Sequence, residues 1–360
     1  MKQQLELRDF AQRVKHNRFN KHDFIADTRS LTMYKVDGHD LQLGLSTQST
    51  VDPLKIVHDF QINNHAHSQI ASKLNIPKKY YDRLRVDHPD LLADQVTHLF
   101  DREPERRMIR TLDGTARGFL SDKFRTDMDN YDVAEAAIPV LENVPDMQIL
   151  SCAVTDTRMY LKAQFPRLRG EVKVGDVVTG GVVISNSEVG CGALNIEAFF
   201  YRLQCLNGMV GKSLVRKFHV GAKQGVSDEA YAVLSQATRD KSTEAMRAII
   251  KDVVTAATDE AKFKSNLEKF IDSTNQRIEA DVPKAIEVLG NKLNLNQEEQ
   301  SSVLTRLIEG GDLSRWGVAN AVTRASADIE DYDRATEIER AGHNVIELAR
   351  KDWEEVSLAA

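Results

Sequence analysis

The chain has 360 residues, of which 41% are hydrophobic and 28% are charged, and its formal net charge is −6. This composition can bury the core of two or three domains, and it excludes a disordered, a fibrous or a wholly basic protein. The longest apolar runs fall far short of the roughly 18 residues of a membrane span, and the charged N-terminus lacks a signal-peptide core. We therefore expect a cytoplasmic protein without a membrane partner, and its three cysteines, Cys152, Cys191 and Cys205, to be reduced.

Residues 1–50 show no clear helical or strand pattern, and the first clear helical pattern lies between residues 67 and 85. The stretch His67–Arg85 predicts two helices with a break at Asn75-Ile76-Pro77, because Pro77 suits the first position of a helix. The apolar spacing fits a DNA-binding helix-turn-helix or an ordinary helical hairpin with a shared core. We favour the hairpin, because the second helix carries bulky apolar residues that a groove-reading face does not need.

The pattern changes to alternation at Arg106, where Asp113-Gly114 separates two strand-like runs and predicts a β-hairpin. A helix is predicted over Tyr131–Val144, with Asp129 or Asn130 as its N-cap. Four strands follow, the first two joined by a turn near Asp156-Thr157 and the last two separated by a break at residues 186–190. This order predicts an α+β fold with an antiparallel sheet.

Helical spacing dominates after about residue 227. Further helices are predicted at roughly 260–279, 281–291, 296–309 and 329–357, as an acidic bundle or an extended arm. Residues 226–360 hold 17 Lys/Arg and 26 Asp/Glu, a net of −9, and residues 1–225 carry +3. We divide the chain into a mixed, helical N-terminal region (1–100), an α+β core (101–226) and an acidic helical C-terminal region (227–360).

Several short motifs point to chemistry that their surroundings do not support. Gly211-Lys212-Ser213 resembles the end of a phosphate-binding loop, but Leu206 stands where that loop needs a glycine. His58, His65 and His67 have no cysteine nearby, and we interpret them as polar surface side chains rather than zinc ligands. The sequence predicts no catalytic residue, no metal site and no cofactor.

The segment Ala198–Ser227 contains no Asp or Glu but five basic residues. Unopposed cations suit a phosphate backbone, and aromatic side chains can stack bases of single strands. The predicted nucleic-acid-binding residues of this segment are Arg202, Lys212, Arg216, Lys217 and Lys223, together with the aromatic Tyr201 and Phe218. A second, weaker basic set lies on the predicted hairpin and just after it: Arg117, Lys123 and Arg125. The alternative is that Phe199 and Tyr201 alternate into a sheet core and the basic side chains face water.

Two stretches carry a resemblance to a known family. "RRMIRTLDGTARGFLSDKFRTDMDNYDVAEAAIPVL" and "ISNSEVGCGALNIEAFFYRLQCLNGMV" resemble the two signature blocks of a phage and plasmid family of unknown function, domain family nine-three-two. The resemblance covers roughly residues 50–225, and Phe124 departs from it where the family usually has Tyr. It implies a gene of a phage or mobile element, often near recombination and replication functions.

The predicted order of hairpin, helix and strands is also similar to the β-β-β-α core of phage single-strand annealing proteins, which form rings or filaments around single-stranded DNA. The sequence therefore predicts a single-stranded DNA-binding protein of a bacterial host cytoplasm. We expect it to act in annealing or recombination without ATP or metal, as a homo-oligomer. The alternative is a phage structural or interaction protein that oligomerises without binding nucleic acid, and an enzyme ranks below both.

Overall fold

The structure, a computed structural model, describes residues 5–36, 40–46, 56–124, 128–204, 207–217 and 236–359. These residues form two β-sheets and twelve α-helices, so the fold is α+β with a helical C-terminal region, as the sequence predicts. No helix in the described ranges is both long and apolar enough to cross a membrane.

The eleven strands of the described residues divide between the two sheets after residue 121. The first sheet holds β1 (Lys21–Asp27), β2 (Leu31–Tyr34), β3 (Gln42–Ser46), β4 (Ile56–Ile62), β5 (Arg106–Leu112) and β6 (Thr115–Ser121). The second holds β7 (Gln148–Val154), β8 (Met159–Lys173), β9 (Asp176–Asn186), β10 (Leu194–Arg202) and β11 (Asn207–Lys217).

The helices lie before, between and after the strands. They are α1 (Leu7–Asn20), α2 (Asn64–Lys73), α3 (Lys78–Asp87), α4 (Pro89–Arg102), α5 (Asn130–Glu142), α6 (Gln236–Ala256), α7 (Glu260–Ser273), α8 (Val282–Leu293), α9 (Gln297–Gly310), α10 (Arg315–Ala325), α11 (Tyr332–Glu347) and α12 (Arg350–Ser357). Two short 3₁₀ helices, Thr28–Ser30 and Ser326–Asp328, complete the described elements.

The first sheet has the strand order β1-β5-β6-β4-β3-β2. All neighbours are antiparallel except β4 and β6, which are parallel. Asp113 and Gly114 both have positive φ, 49° and 78°, as a tight hairpin turn between right-twisted strands requires. Helices α2, α3 and α4 cover this sheet and share its core of Ile70, Tyr81, Val96, Phe100 and Phe119.

The second sheet is an antiparallel meander in the order β11-β10-β9-β8-β7. The C-terminal helices fold back onto it, because Phe200 of β10, Phe270 of α7 and Trp316 of α10 belong to one continuous hydrophobic cluster. The rings of Phe200 and Phe270 meet edge to face with centroids 4.9 Å apart. The helical region is therefore packed on the sheet in the described residues and is not an extended arm.

Most local predictions between residues 64 and 202 agree with the structure. The two predicted helices are α2 and α3, which form a hairpin. A hydrogen bond of 2.8 Å between His67 Nδ1 and the Tyr81 hydroxyl links the two helices. His67 is fully buried, so its interpretation as a surface side chain is wrong. The first sheet also joins β1 to β5 across the predicted division at residue 100.

Candidate nucleic-acid interface

The two sequence blocks that carry the family resemblance meet in a buried polar cluster between the sheets. Arg110 of β5 donates through Nη1 to the Glu188 carbonyl at 2.6 Å, and its Nε and Nη2 donate to the Asp23 carboxylate at 2.8 and 2.7 Å. The Asn130 backbone N–H at the start of α5 donates to Glu188 Oε1 at 2.8 Å. Asn186 donates to Asn130 Oδ1 at 3.0 Å.

These contacts explain why the two blocks carry their polar residues. Asp129 is the N-cap of α5, as predicted, and it forms a capping box with Asp132. Lys21 lies 2.7 Å from the Asp129 carboxylate, and both side chains are buried. A buried charge needs a partner, so this cluster fixes the second sheet against β1 and β5.

Arg117 belongs to this interior and not to the surface. Only 7% of the residue is exposed, and its Nη2 donates to the Asp156 carbonyl at 3.4 Å. Burial lowers the pKa of its guanidinium below the ordinary value. A phosphate backbone cannot reach a side chain in this position. Of the second predicted set, Lys123 is exposed and Arg125 lies outside the described residues.

Arg202 is held in a buried ion pair. Its Nε lies 2.5 Å from Asp176 Oδ1 and its Nη2 lies 2.8 Å from Asp176 Oδ2. The indole N–H of Trp316 donates to the same carboxylate at 2.8 Å. Asp176 follows the β8–β9 turn and is distant in sequence, so the absence of acids from Ala198 to Ser227 does not leave Arg202 unopposed.

Lys212 and Arg216 lie on β11, which is an edge strand that pairs only with β10 within the described part of the sheet. The register shifts between Ile196 and Glu197, which places an extra residue, Leu214, in β11. Such a bulge interrupts the alternation of inward and outward side chains. As a result Lys212, Ser213, Leu214 and Arg216 are all exposed.

Lys212 shares an acid with a second lysine. Its Nζ lies 2.5 Å from Glu347 Oε2, and Lys269 Nζ lies 3.0 Å from the other oxygen of that carboxylate. Burial opposes ionisation of Glu347, but the two ammonium groups dominate and lower its pKa to about 2. Burial also lowers the pKa of the adjacent His343 to about 4, so this imidazole is neutral at pH 7. Two positive charges and one negative charge leave this corner of the molecule positive.

Of the two predicted aromatic residues, the structure describes only Tyr201. Tyr201 is half-buried and stacks on Phe199 with ring centroids 6.3 Å apart, whereas Phe218 lies outside the described residues. Lys223 and the side chain of Lys217 also lie outside them. The structure therefore places Lys212, which is paired with Glu347, and Arg216 on one exposed strand. Arg202 is paired with Asp176 in a partly buried position, and Arg117 is buried.

A polar cavity beside Tyr201 contains residues that the sequence did not indicate. It lies between the second sheet and the C-terminal helices, and its walls include Asn207, Arg306 and Arg324. Arg306 occurs in an amphipathic helix, where a basic residue predicts only a solvent-facing position, and Arg324 lies near the end of α10, for which the sequence predicts no helix. Asn207 stands in the "CLNG" of the second family block, which was the one available signal.

Comparisons with protein families, with curated proteins and with solved structures find no match to this chain. The family resemblance therefore stays a prediction, and the fold and the exposed basic edge of β11 provide the basis for a functional proposal.

Proposed function

We propose that this chain binds single-stranded nucleic acid, with single-stranded DNA of a phage or mobile element as its partner. The observation that carries the proposal is the exposed edge strand β11, whose Lys212 and Arg216 lie within the acid-free stretch Ala198–Ser227. The proposed activity is strand annealing in the host cytoplasm. It needs neither ATP nor metal, because the protein holds the phosphates by electrostatic contacts.

The spacing and charge of the basic residues on β11 suit contacts with a nucleic-acid backbone. Residues in a β-strand rise about 3.3 Å each, so Lys212 and Arg216 can contact phosphates roughly two nucleotides apart along a flexible single strand. The corner formed by Lys212, Lys269 and Glu347 keeps a positive charge at neutral pH. Each phosphate that a cation neutralises releases a counterion, which supplies the free energy of binding.

The test is a fluorescence anisotropy titration of a labelled single-stranded oligonucleotide at several salt concentrations between about 50 and 200 mM. The double variant Lys212→Ala/Arg216→Ala is expected to bind more weakly than the wild type. For single strands, each phosphate that a cation neutralises adds about 0.7 to the steepness of log K against log salt, so the slope of the variant should be shallower by about 1.4.

A matched control removes two exposed basic residues elsewhere. The Arg350→Ala/Lys351→Ala variant changes net charge by the same amount at α12, where Arg350 contacts only Glu354 of its own helix in the described contacts. Its affinity and salt slope should equal those of the wild type. Equal losses of affinity in both double variants, or wild-type binding that does not respond to salt, would refute the proposal.

The competing function is an assembly protein without nucleic-acid affinity, which the exposed strand edge also favours. An unpaired edge can add a strand from another copy, although Lys and Arg on an edge oppose such pairing. Light scattering of the purified protein, read together with absorbance at 260 nm, separates the two. A regular ring or filament with no bound nucleic acid and no oligonucleotide affinity would establish the assembly function instead.

A further inference from the structure

A second candidate site lies at the start of β11, apart from Lys212 and Arg216, in the polar cavity beside Tyr201. The cavity has a volume of about 360 Å³, within the range that small-molecule sites occupy. Strands of the second sheet form its floor, and α9, α10, α11 and the 3₁₀ helix Ser326–Asp328 form its walls. The residues that matter for its chemistry are Phe199, Tyr201, Asn207, Gly208, Arg306 and Arg324.

Asn207 presents an unsatisfied acceptor to this cavity. The residue is 91% buried, since 9% of it is exposed, and its Oδ1 has no hydrogen-bond partner in the described structure. A buried acceptor without a partner costs free energy unless a ligand or water donates to it.

The orientation of the Asn207 amide is fixed by its neighbours. Its Nδ2 donates to Thr323 Oγ1 at 2.6 Å and lies 3.4 Å from Asn320 Oδ1. The Thr323 hydroxyl already donates to backbone carbonyls of α10, and Asn320 Nδ2 donates to the Trp316 carbonyl. Both neighbours can therefore only accept from Asn207, which leaves Oδ1 as the atom that needs a donor.

An aromatic surface stands beside this acceptor. Tyr201 stacks on Phe199 at an angle of 27°, and both rings line the cavity. Gly208 leaves room for the Phe199 ring, because a Cβ atom at this position would lie 2.2 Å from Phe199 Cζ. A planar ring can stack against such a surface with little dependence on its identity.

Two guanidinium groups also line the cavity. Arg306 is held by Glu309 at 3.1 Å and by Asp328 at 2.6 Å, and Arg324 lies 3.6 Å from the same Glu309 carboxylate. These acids fix the orientation of both side chains. Five N–H donors on each guanidinium leave donors for an anion beyond those that the acids occupy. Lys162 is engaged by Glu339 and adds no free cation.

We propose that this cavity binds a nucleotide. The base stacks on Tyr201, an N–H of the base donates to Asn207 Oδ1, and the phosphate accepts from Arg306 and Arg324. The nucleotide is either a free mononucleotide or the phosphorylated end of a single strand, and no bond is made or broken. The site stands on the cavity alone and does not require strand binding at β11.

Isothermal titration calorimetry of the full chain with the four nucleoside 5′-monophosphates tests this site. One equivalent is expected to bind, and the matching nucleosides should bind at least about tenfold more weakly, because they lack the anion that the arginines recognise. Inorganic phosphate alone should bind more weakly than the nucleotide, since it cannot stack. The Tyr201→Leu and Arg324→Gln variants should each lose at least about tenfold in affinity, and Arg350→Gln should lose none.

A 5′-phosphorylated oligonucleotide and its unphosphorylated form distinguish the two sources. If mononucleotides bind and Tyr201→Leu weakens them, the free nucleotide is a ligand. If only the phosphorylated oligonucleotide depends on Tyr201 and Arg324, the strand end is the ligand. Binding of neither, or binding that both variants leave unchanged while circular dichroism shows them folded, overturns the site. Dependence of strand binding on Lys212 and Arg216 is measured separately, so either proposal can fail alone.

Discussion

Single residues in this protein take their roles from partners that are distant in sequence. Arg202 shows this most clearly, since Asp176 meets it with both carboxylate oxygens and Trp316 donates to the same group. The guanidinium also lies 6.0 Å from the centre of the Trp316 ring. Arg202 thereby links β10 to α10 instead of facing solvent.

Replacing Arg202 should lower stability without changing affinity for a strand. The Arg202→Gln variant leaves the buried Asp176 carboxylate without its cation, and breaking a buried pair in this way costs about 3 kcal/mol. Urea denaturation followed by circular dichroism gives the free energy of unfolding. Oligonucleotide affinity at 25 °C should stay within about twofold of the wild type. A variant of unchanged stability but reduced affinity would instead place Arg202 in the interface.

The elements that could be predicted from sequence are those specified by local signals. Asp113-Gly114 predicts its hairpin because the turn itself demands these residues. Helix α10 gives no such signal, because it is buried on nearly every side and has no polar face to set a helical period. The predicted helix 329–357 is two helices, since Arg315 donates to the Val345 and Leu348 carbonyls where the chain turns between them.

The candidate site was harder to predict than the fold. β11 lies in the stretch that contains no acidic residue. Glu347 nevertheless contacts Lys212 of β11 because α11 packs on the sheet, and Asp176 contacts Arg202 of β10 because β9 pairs with β10. The walls of the cavity likewise come from helices more than a hundred residues after β7. Composition along the chain cannot show such contacts, because they depend on tertiary structure.

The start of β11 has little room for a larger residue. Gly208→Ala would place a methyl group against the Phe199 ring, and overpacking of this kind costs about 1–3 kcal/mol. Thermal unfolding should therefore show a lower midpoint for this variant. Gly310→Ala is the control, because nothing lies within 4 Å of a Cβ there and alanine favours the helix that Gly310 ends. A Gly208→Ala protein as stable as Gly310→Ala would contradict the close packing described here.

At the scale of the whole molecule, the described residues form two large hydrophobic clusters, and a buried histidine lies beside each. His67 lies among α2 and α3 beside the first sheet, and His343 lies on α11 against Phe200 with ring centroids 6.0 Å apart. Burial lowers the pKa of His67 to about 3 and that of His343 to about 4. Both buried imidazoles are therefore uncharged at pH 7.

Stability should fall as the pH drops from 7 to 5. The unfolded chain binds protons near the ordinary histidine pKa of about 6.5, but the folded chain does not until far lower pH, so acid favours unfolding. Each of the two buried histidines adds about 1.4 kcal/mol to the loss of folding stability for every pH unit below 6.5. In His343→Phe the loss of stability between pH 7 and 5, measured by urea denaturation, should be smaller by about 2 kcal/mol. An unchanged loss of stability in His343→Phe would refute this assignment.

The pairing of β1 with β5 sets an order for folding during synthesis. Lys21 lies opposite Leu112 and Asp27 lies opposite Arg106, so β1 has no partner until the ribosome has made the chain beyond β5. At roughly 5–20 residues per second, that wait lasts several seconds. During this time the nascent chain exposes β1 and the apolar face of α1. The first sheet is therefore completed only after β5 has been made, whatever the N-terminal residues have formed by then.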